Sequence, residues 1–312
     1  MGILSYTFKL IKLRGVRYMS GKVKKIGKNN LAFWAFVGPS LFAFLVVIFI
    51  PLIVGIYYSF TDWNGISTNI NFVGFENYIK AFSDEGFRNS FFFTAKFTVA
   101  SVITINAIGF ALALLVTRES KISNLLRTIF FMPNLIGGLI LGFIWQFIFV
   151  NVFNSIGQAL GQEWMMGWLS NSTTGFWGMV IIMAWQMSGY VMVIYVAGLQ
   201  NVPPELNEAA KIDGANIWQR IRLITFPMIR PAFTISLFLT LSNSFKLFDQ
   251  NLALTNGGPG NATQMLALNV YQTAFSYNKM NLAQAKAVIF FVLVAIITLV
   301  QVYLTKKDEV EA

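Results

Sequence analysis

With 312 residues, 56% of them hydrophobic and 12% charged, and a mean hydropathy of +0.62, the chain is too apolar for a water-soluble domain and reads as an integral membrane protein. It has no Cys, which excludes disulfides and thiolate sites, and no His, which removes the commonest general base and metal ligand, so no metal site is expected and an enzymatic reading has little to build on. Its net charge of +10 is divided among many short segments and forms no single basic stripe, which argues against nucleic acid and makes Lys and Arg markers of topology.

Residues 1–30 hold Lys9, Lys12, Arg14, Arg17, Lys22, Lys24, Lys25 and Lys28 and no acidic residue, which predicts a cytoplasmic segment able to lie on anionic lipid. The apolar run at 31–60 is too long for the core of a cleaved signal peptide, so it is expected to be the first transmembrane helix, with Gly38-Pro39 and Pro51 as kink points. Residues 62–89 carry Asp62, Glu76, Asp84 and Glu85 against Lys80 and Arg88 and are placed outside. A second span at 90–116 admits Lys96 by snorkelling, and Arg118, Lys121 and Arg127 follow on an inside turn. The third span is expected at 125–150, interrupted by Pro133 and Gly137-Gly138. Residues 151–175 contain no Lys or Arg, and 154–169 read as a short helix on the outer surface with Trp164 and Trp168 at headgroup level. A fourth span at 176–199 returns the chain to the inside.

The segment that follows, NVPPELNEAAKIDGANIWQRIRLITFPMIRP at 201–231, is neither span nor plain loop. Pro203 and Pro204 open a helix whose first turns carry Glu205 and Glu208, near the positive end of the helix dipole. Ala209 and Ala210 keep its surface low, Gly214 suits a turn, and a second helix is expected over 215–226, ending before Pro227. On pattern alone this knob could be an ordinary cytoplasmic loop. A fifth span is expected at 228–248; TNGGPGNAT at 255–263 is a turn-rich outside loop, and the last span lies at 285–304 before Lys306 and Lys307. The whole is an all-α membrane protein of about six spans with both termini inside. No internal repeat is visible, so any two-fold symmetry would come from a second polypeptide.

The knob resembles the signature of the membrane subunits of ATP-binding-cassette importers: Glu208-Ala209-Ala210, then Gly214, Ile224 and Pro227 fall at the family spacing, with Phe226 where Leu is usual. Phe36-Val37-Gly38-Pro39, Ser59-Phe60-Thr61, Phe72-Val73-Gly74-Phe75-Glu76-Asn77-Tyr78 and the 255–263 loop are similar to segments of carbohydrate permeases of the maltose-type first-permease group. The resemblance implies a type I importer permease fold, with residues 90–304 as the permease core, 201–227 as a coupling loop and 305–312 as a cytoplasmic tail. It also implies a bacterial cytoplasmic membrane, a second permease subunit, two ATPase subunits and an extracytoplasmic solute-binding protein. Glu208, Ala209, Ala210, Asp213, Gly214, Ile224 and Pro227 would dock on the ATPase as a helix in a groove. The stretch from Gly15 to Lys22 lacks Walker A spacing. No cofactor is expected on this chain, and ATP and Mg would sit on the partner ATPases.

A polar solute crossing hydrocarbon needs hydrogen-bonding groups along its route. Ser236, Thr240, Asn243, Lys246 and Gln250 recur at three- or four-residue steps on one face of the fifth span; the fourth offers Trp185, Gln186, Ser188 and Tyr190, the third Asn134 and Gln146, and the second Asn106. Asn243, Lys246, Gln250, Gln186, Tyr190 and Trp185 are candidates for the solute path, with aromatic faces against sugar rings. The competing reading is that such residues only join helices, which is favoured for Asn106, Gln146 and Ser188. The depth of Lys246 decides between a path residue and one snorkelling at the outer end. An importer of a sugar or oligosaccharide is the leading expectation. A non-sugar solute such as a polyol phosphate or oligopeptide, an ion-driven carrier and a membrane enzyme are the alternatives.

Overall fold

The computed structural model describes residues 30–118 and 120–306; the basic segment at 1–29 and the tail beyond 306 lie outside the described residues. The chain divides into two units, one ending at Val54 and the other beginning at Gly55. Most of the apolar helix α1 (Phe33–Ser59) falls in the first. It keeps Pro39 inside a helical segment and widens into a π turn at Leu45–Phe49, a local irregularity that helices use to absorb strain.

The second unit takes in the last residues of α1 and the chain that follows them. Val73 N donates to Phe60 O at 2.8 Å, and the buried Asn77 side chain donates to Ser59 O at 2.9 Å and Thr61 O at 2.8 Å. Gly74 turns the chain at φ +60, which is why the Phe-Val-Gly-Phe-Glu-Asn-Tyr stretch needs a glycine. The stretch leads into the short helix α2 (Glu76–Ser83). Asp84 then caps α3 (Glu85–Val116) by accepting from Phe87 N, so the span begins five residues before the apolar run. At the other end of α3, Arg127 on α4 (Lys121–Phe131) donates to Val116 O at 3.0 and 2.7 Å, which satisfies a carbonyl that the helix leaves open.

The expected third span is two elements. A 3-10 turn at Met132–Leu135 and extended backbone at Ile136 separate α4 from α5 (Gly138–Leu160). The physical reason is that Pro133 offers no N–H and Gly137 resists helix, so together they end a helix where either alone would bend it. The expected surface helix at 154–169 is also corrected: Phe153–Leu160 continues α5 through a π turn, and only Glu163–Met165 forms a further turn.

Helix α6 (Ser172–Gln200) is central, with 67% of its span window buried, against 33% for α3 and 6% for the last helix. Lipid supplies no hydrophobic force between helices, so close packing through small residues has to hold them. A Cβ on Gly109 of α3 would lie 2.7 Å from Val191, and one on Gly189 of α6 would lie 1.8 Å from Phe130 O, so α3 and α4 both cross α6 at near backbone contact.

After α6 come α7 (Pro204–Ile212), α8 (Ile217–Met228) and α9 (Arg230–Phe245). Helix α8 runs through Pro227 where it was expected to stop. Its π turn at Ile221–Thr225 pairs Phe226 N with Ile221 O, shifting the hydrogen-bond register just ahead of the residue that has no N–H. The helix ends instead at Met228, and α9 leaves at 75°. Then follow α10 (Asp249–Leu254), α11 (Leu266–Phe275) and α12 (Met280–Lys306). The expected fifth span is therefore cut at Lys246. Among the described residues, five helices are long and apolar enough to cross a membrane, or six if the bent α8–α9 pair counts as one.

Candidate functional site: an exposed knob and a polar cleft

The knob is built as the sequence leads one to expect at its start. Pro203 supplies an extended N-cap, Pro204 takes the first helical position and Glu205 sits in the first turn of α7. Gly214 adopts φ +80 while Ala215 N reaches back to Ala210 O at 2.9 Å, closing the helix. Asn216 and Gln219 then form a reciprocal capping box that starts α8. Glu208, Ala209, Asp213 and Gly214 are exposed; Ala210, Ile224 and Pro227 are half-buried. Beside them stand Ile212, Ile217, Trp218 and Leu223, from 60% to 86% exposed. Sequence reasoning passed over these four, although a run of large apolar residues on a charged loop was the available signal. Large apolar side chains exposed on the same loop as the exposed Glu208, Asp213 and Arg222 have the make-up of a protein-docking surface.

The second feature is a cleft of about 360 Å³ lined by Asn134, Gln186, Asn243, Lys246, Asp249 and Gln250, among others. Its depth follows from α6. Gln186 is residue 15 of that 29-residue helix, which spans about 44 Å at 1.5 Å per residue, so it lies midway along it. Gln250 Nε2 donates to Gln186 Oε1, and Gln186 Nε2 donates to Ile136 O at 2.9 Å. Lys246 lines the same cleft at the break between α9 and α10. Non-helical backbone at that depth is tolerated where it lines a cavity. Gln250 is 2% exposed and its Oε1 has no hydrogen-bond partner among the described residues, an open acceptor that costs about 1–3 kcal/mol until something donates to it.

Four of the six candidate path residues thus meet: Gln186, Asn243, Lys246 and Gln250. The other two do not join them. Trp185 faces a separate apolar groove of about 890 Å³ between α3, α4 and α6, with its ring 5.7 Å from Trp145. The Tyr190 ring lies tilted against that of Phe131, with centroids 6.4 Å apart. Trp185 points away because one residue of helix turns a side chain by about 100°, whereas Tyr190 follows Gln186 by four residues and lies one turn further along α6, outside the cleft lining. Asn134 and Asp249 take their place in the lining.

Ser236 and Thr240 leave the expected polar face as well. Asn106 Nδ2 donates to Thr240 Oγ1 at 3.1 Å, Tyr195 OH donates to Asn106 Oδ1 at 2.8 Å, and Ser236 donates to the same oxygen. This buried knot joins α3, α6 and α9, and each of its bonds is worth about 0.6 kcal/mol in a membrane setting. Gln146 likewise donates to Leu254 O at 3.2 Å. The joining role favoured for Asn106 and Gln146 is what these contacts provide.

The turn at 255–263 is a constructed loop. Asn256, Gly257, Gly260 and Asn261 have positive φ, and Asn251 of α10 donates to Thr263 O at 2.8 Å while accepting from Met265 N at 3.0 Å. The loop is thereby tied to the helix that carries Asp249 and Gln250.

Comparison with known proteins places this geometry. Residues 105–307 match the family described as binding-protein-dependent transport system inner membrane component. The chain is 58% identical over 290 residues to the probable starch degradation products transport system permease protein AmyD of Thermoanaerobacterium thermosulfurigenes, covering 93% of this chain and 99% of that one. It is 32% identical to the multiple sugar-binding transport system permease protein MsmF of Streptococcus mutans, covering 89% and 96%. A bacterial ABC transporter involved in import of the acidic polysaccharide alginate shares the fold with a TM-score of 0.78, at 20% identity, over 90% of this chain and 96% of that one.

Proposed function

The chain is a member of the family of binding-protein-dependent transport system inner membrane components, and from that membership we propose that it is the permease subunit of an ATP-driven importer of a neutral oligosaccharide in a bacterial cytoplasmic membrane. The observation that carries the reading is the mid-depth cleft. A sugar presents many hydroxyls, and Gln250, Gln186, Asn243 and Asn134 offer donors and acceptors at the depth where a solute would otherwise meet only hydrocarbon. Lys246 and Asp249 stand in the same lining with opposite charges, which suits a neutral solute better than an anion such as a polyol phosphate. The names of the relatives, which speak of starch degradation products and multiple sugars, support a carbohydrate.

The knob is the coupling element in this reading. Glu208 and Asp213 would meet polar groups of an ATPase subunit while Ala209, Ala210 and Gly214 permit close approach and Trp218 fills an apolar pocket. Ile224 and Pro227 sit in α8, which joins the knob to the 75° bend before α9. Closure of the ATPases would swing α8 and α9, and α9 ends at Lys246 in the cleft. The solute thus gains access from one side and then the other by a rigid-body movement. The partners are a second permease subunit, two ATPase subunits that hold ATP and Mg, and an external solute-binding protein. This chain holds no cofactor of its own.

Co-purification of the tagged chain from its own membrane, with ATPase activity and uptake of labelled oligosaccharide assayed, tests the reading. Wild type is expected to bring down a second permease and an ATPase. Gly214→Asp is expected to abolish coupled uptake while the chain still inserts, and Asn243→Ala is expected to lower uptake with ATPase binding intact. Uptake by the chain purified alone, driven by an ion gradient, would replace the importer with a carrier.

A further inference from the structure

Among the described residues, Lys286 is the one charged side chain that the transport reading does not use although it is almost fully buried, at 1% exposure, inside α12. Its three ammonium protons all have acceptors: Asp84 Oδ2 at 2.9 Å, Thr273 Oγ1 at 2.9 Å and Asn269 Oδ1 at 3.0 Å. The Nζ also lies 5.4 Å from the Phe87 ring centroid, a cation–π arrangement. A buried charge this completely bonded is expensive to break and fixes whatever it touches. What it touches leads toward the cleft. Asn269 Nδ2 donates to Gln264 Oε1 at 2.7 Å, and Ser90 of α3 donates to the same oxygen at 3.0 Å. On either side of Gln264, Thr263 O and Met265 N are held by the two ends of the Asn251 side chain. Asn251 is fully buried and is the residue after Gln250 on α10.

We propose that Lys286, with Asp84 and Asn269, is a positioning residue for α10, holding Asp249 and Gln250 against the cleft through Gln264 and Asn251. The inference rests on the cleft being the solute passage, but its test uses neither solute nor partner subunits, so each can fail without the other. Because the chain has no Cys, single reporters can be placed freely. Asp249→Cys reports on α10, and Lys211→Cys on the knob is the control at a distant exposed site. The measurement is the rate of modification by a small charged methanethiosulfonate reagent in membranes, for the full chain with and without Lys286→Met.

The expected result is a change of about tenfold at position 249, equivalent to ~1.4 kcal/mol, with the rate at 211 unchanged. Asn269→Leu, which cuts the link but leaves the ion pair with Asp84, should reproduce it, and Lys286→Arg should restore much of the original rate. An unchanged rate at 249 in both Lys286→Met and Asn269→Leu overturns the proposal. Equal changes at 249 and 211 in both variants also overturn it, since the cluster would then support the whole fold and not the cleft.

Discussion

Asp84 shows how much one side chain can carry when the chain around it is apolar. Its partial burial works to raise the carboxyl pKa, but the hydrogen bond from Lys286, the Phe87 and Gly86 backbone N–H groups and the Lys286 charge together hold it below the ordinary value. A carboxylate with a depressed folded pKa contributes stability above its unfolded pKa of about 3.9, and loses that contribution as pH falls through the folded value. Thermal unfolding in detergent should therefore become steeply pH-dependent only below about pH 4, and Asp84→Asn should remove part of that acid limb while lowering stability at neutral pH. An acid limb identical in the two proteins would show that Asp84 is not the group responsible. At this scale the sequence was a partial guide. Gln186 and Asn243 stood out as amides within apolar runs, whereas Lys286 passed unmarked because a lysine near the edge of a span is expected to snorkel, and Tyr195 because a hydroxyl among aliphatics shows nothing of its partner.

The contact between α5 and α10 is where an element decides the site. Gly138 and Gly142 are four apart, hence on one face of α5. A Cβ on the first would come within 2.9 Å of Asp249 Cβ, and one on the second within 2.6 Å of Ala253 Cβ and 3.4 Å of the Gln250 backbone. Small residues at this spacing let two helix backbones approach, and here they seat the short α10 so that Gln250 reaches Gln186. Gly142→Leu should push α10 away at a cost of about 1–3 kcal/mol, reducing oligosaccharide uptake by an order of magnitude or more while the chain still co-purifies with its ATPase. Retained uptake would mean that the cleft does not depend on this contact. Gly137-Gly138 was legible as a site of tight packing, but its partner was not. α10 has six residues, too few to leave a periodic signature, and it follows a break that hydropathy reads as continuous span.

Across the whole molecule the Lys and Arg distribution sets an orientation that single cysteines can check. With the knob inside, Lys211→Cys should be labelled by an impermeant maleimide only in inverted vesicles, and Glu163→Cys, exposed on the turn after α5, only in intact cells. Labelling of both from the same side would overturn the six-crossing arrangement and with it the cytoplasmic knob. The sequence by itself determined that this is an all-helical membrane chain, where most spans fall, and that residues 201–227 form a proline-led, glycine-turned knob. Those features rest on hydropathy, on charge asymmetry and on the few residues that can start or end a helix, all of which are local. Only the tertiary structure decided which polar residues share a cavity. A helix of mixed polar and apolar residues in lipid has no obligatory inward face, and whether Ser236 bonds Asn106 or Asn243 lines a cleft depends on where neighbouring helices break and cross. The break at Lys246 and the glycine contacts of α5 made that choice, through sterics between segments more than a hundred residues apart in the chain.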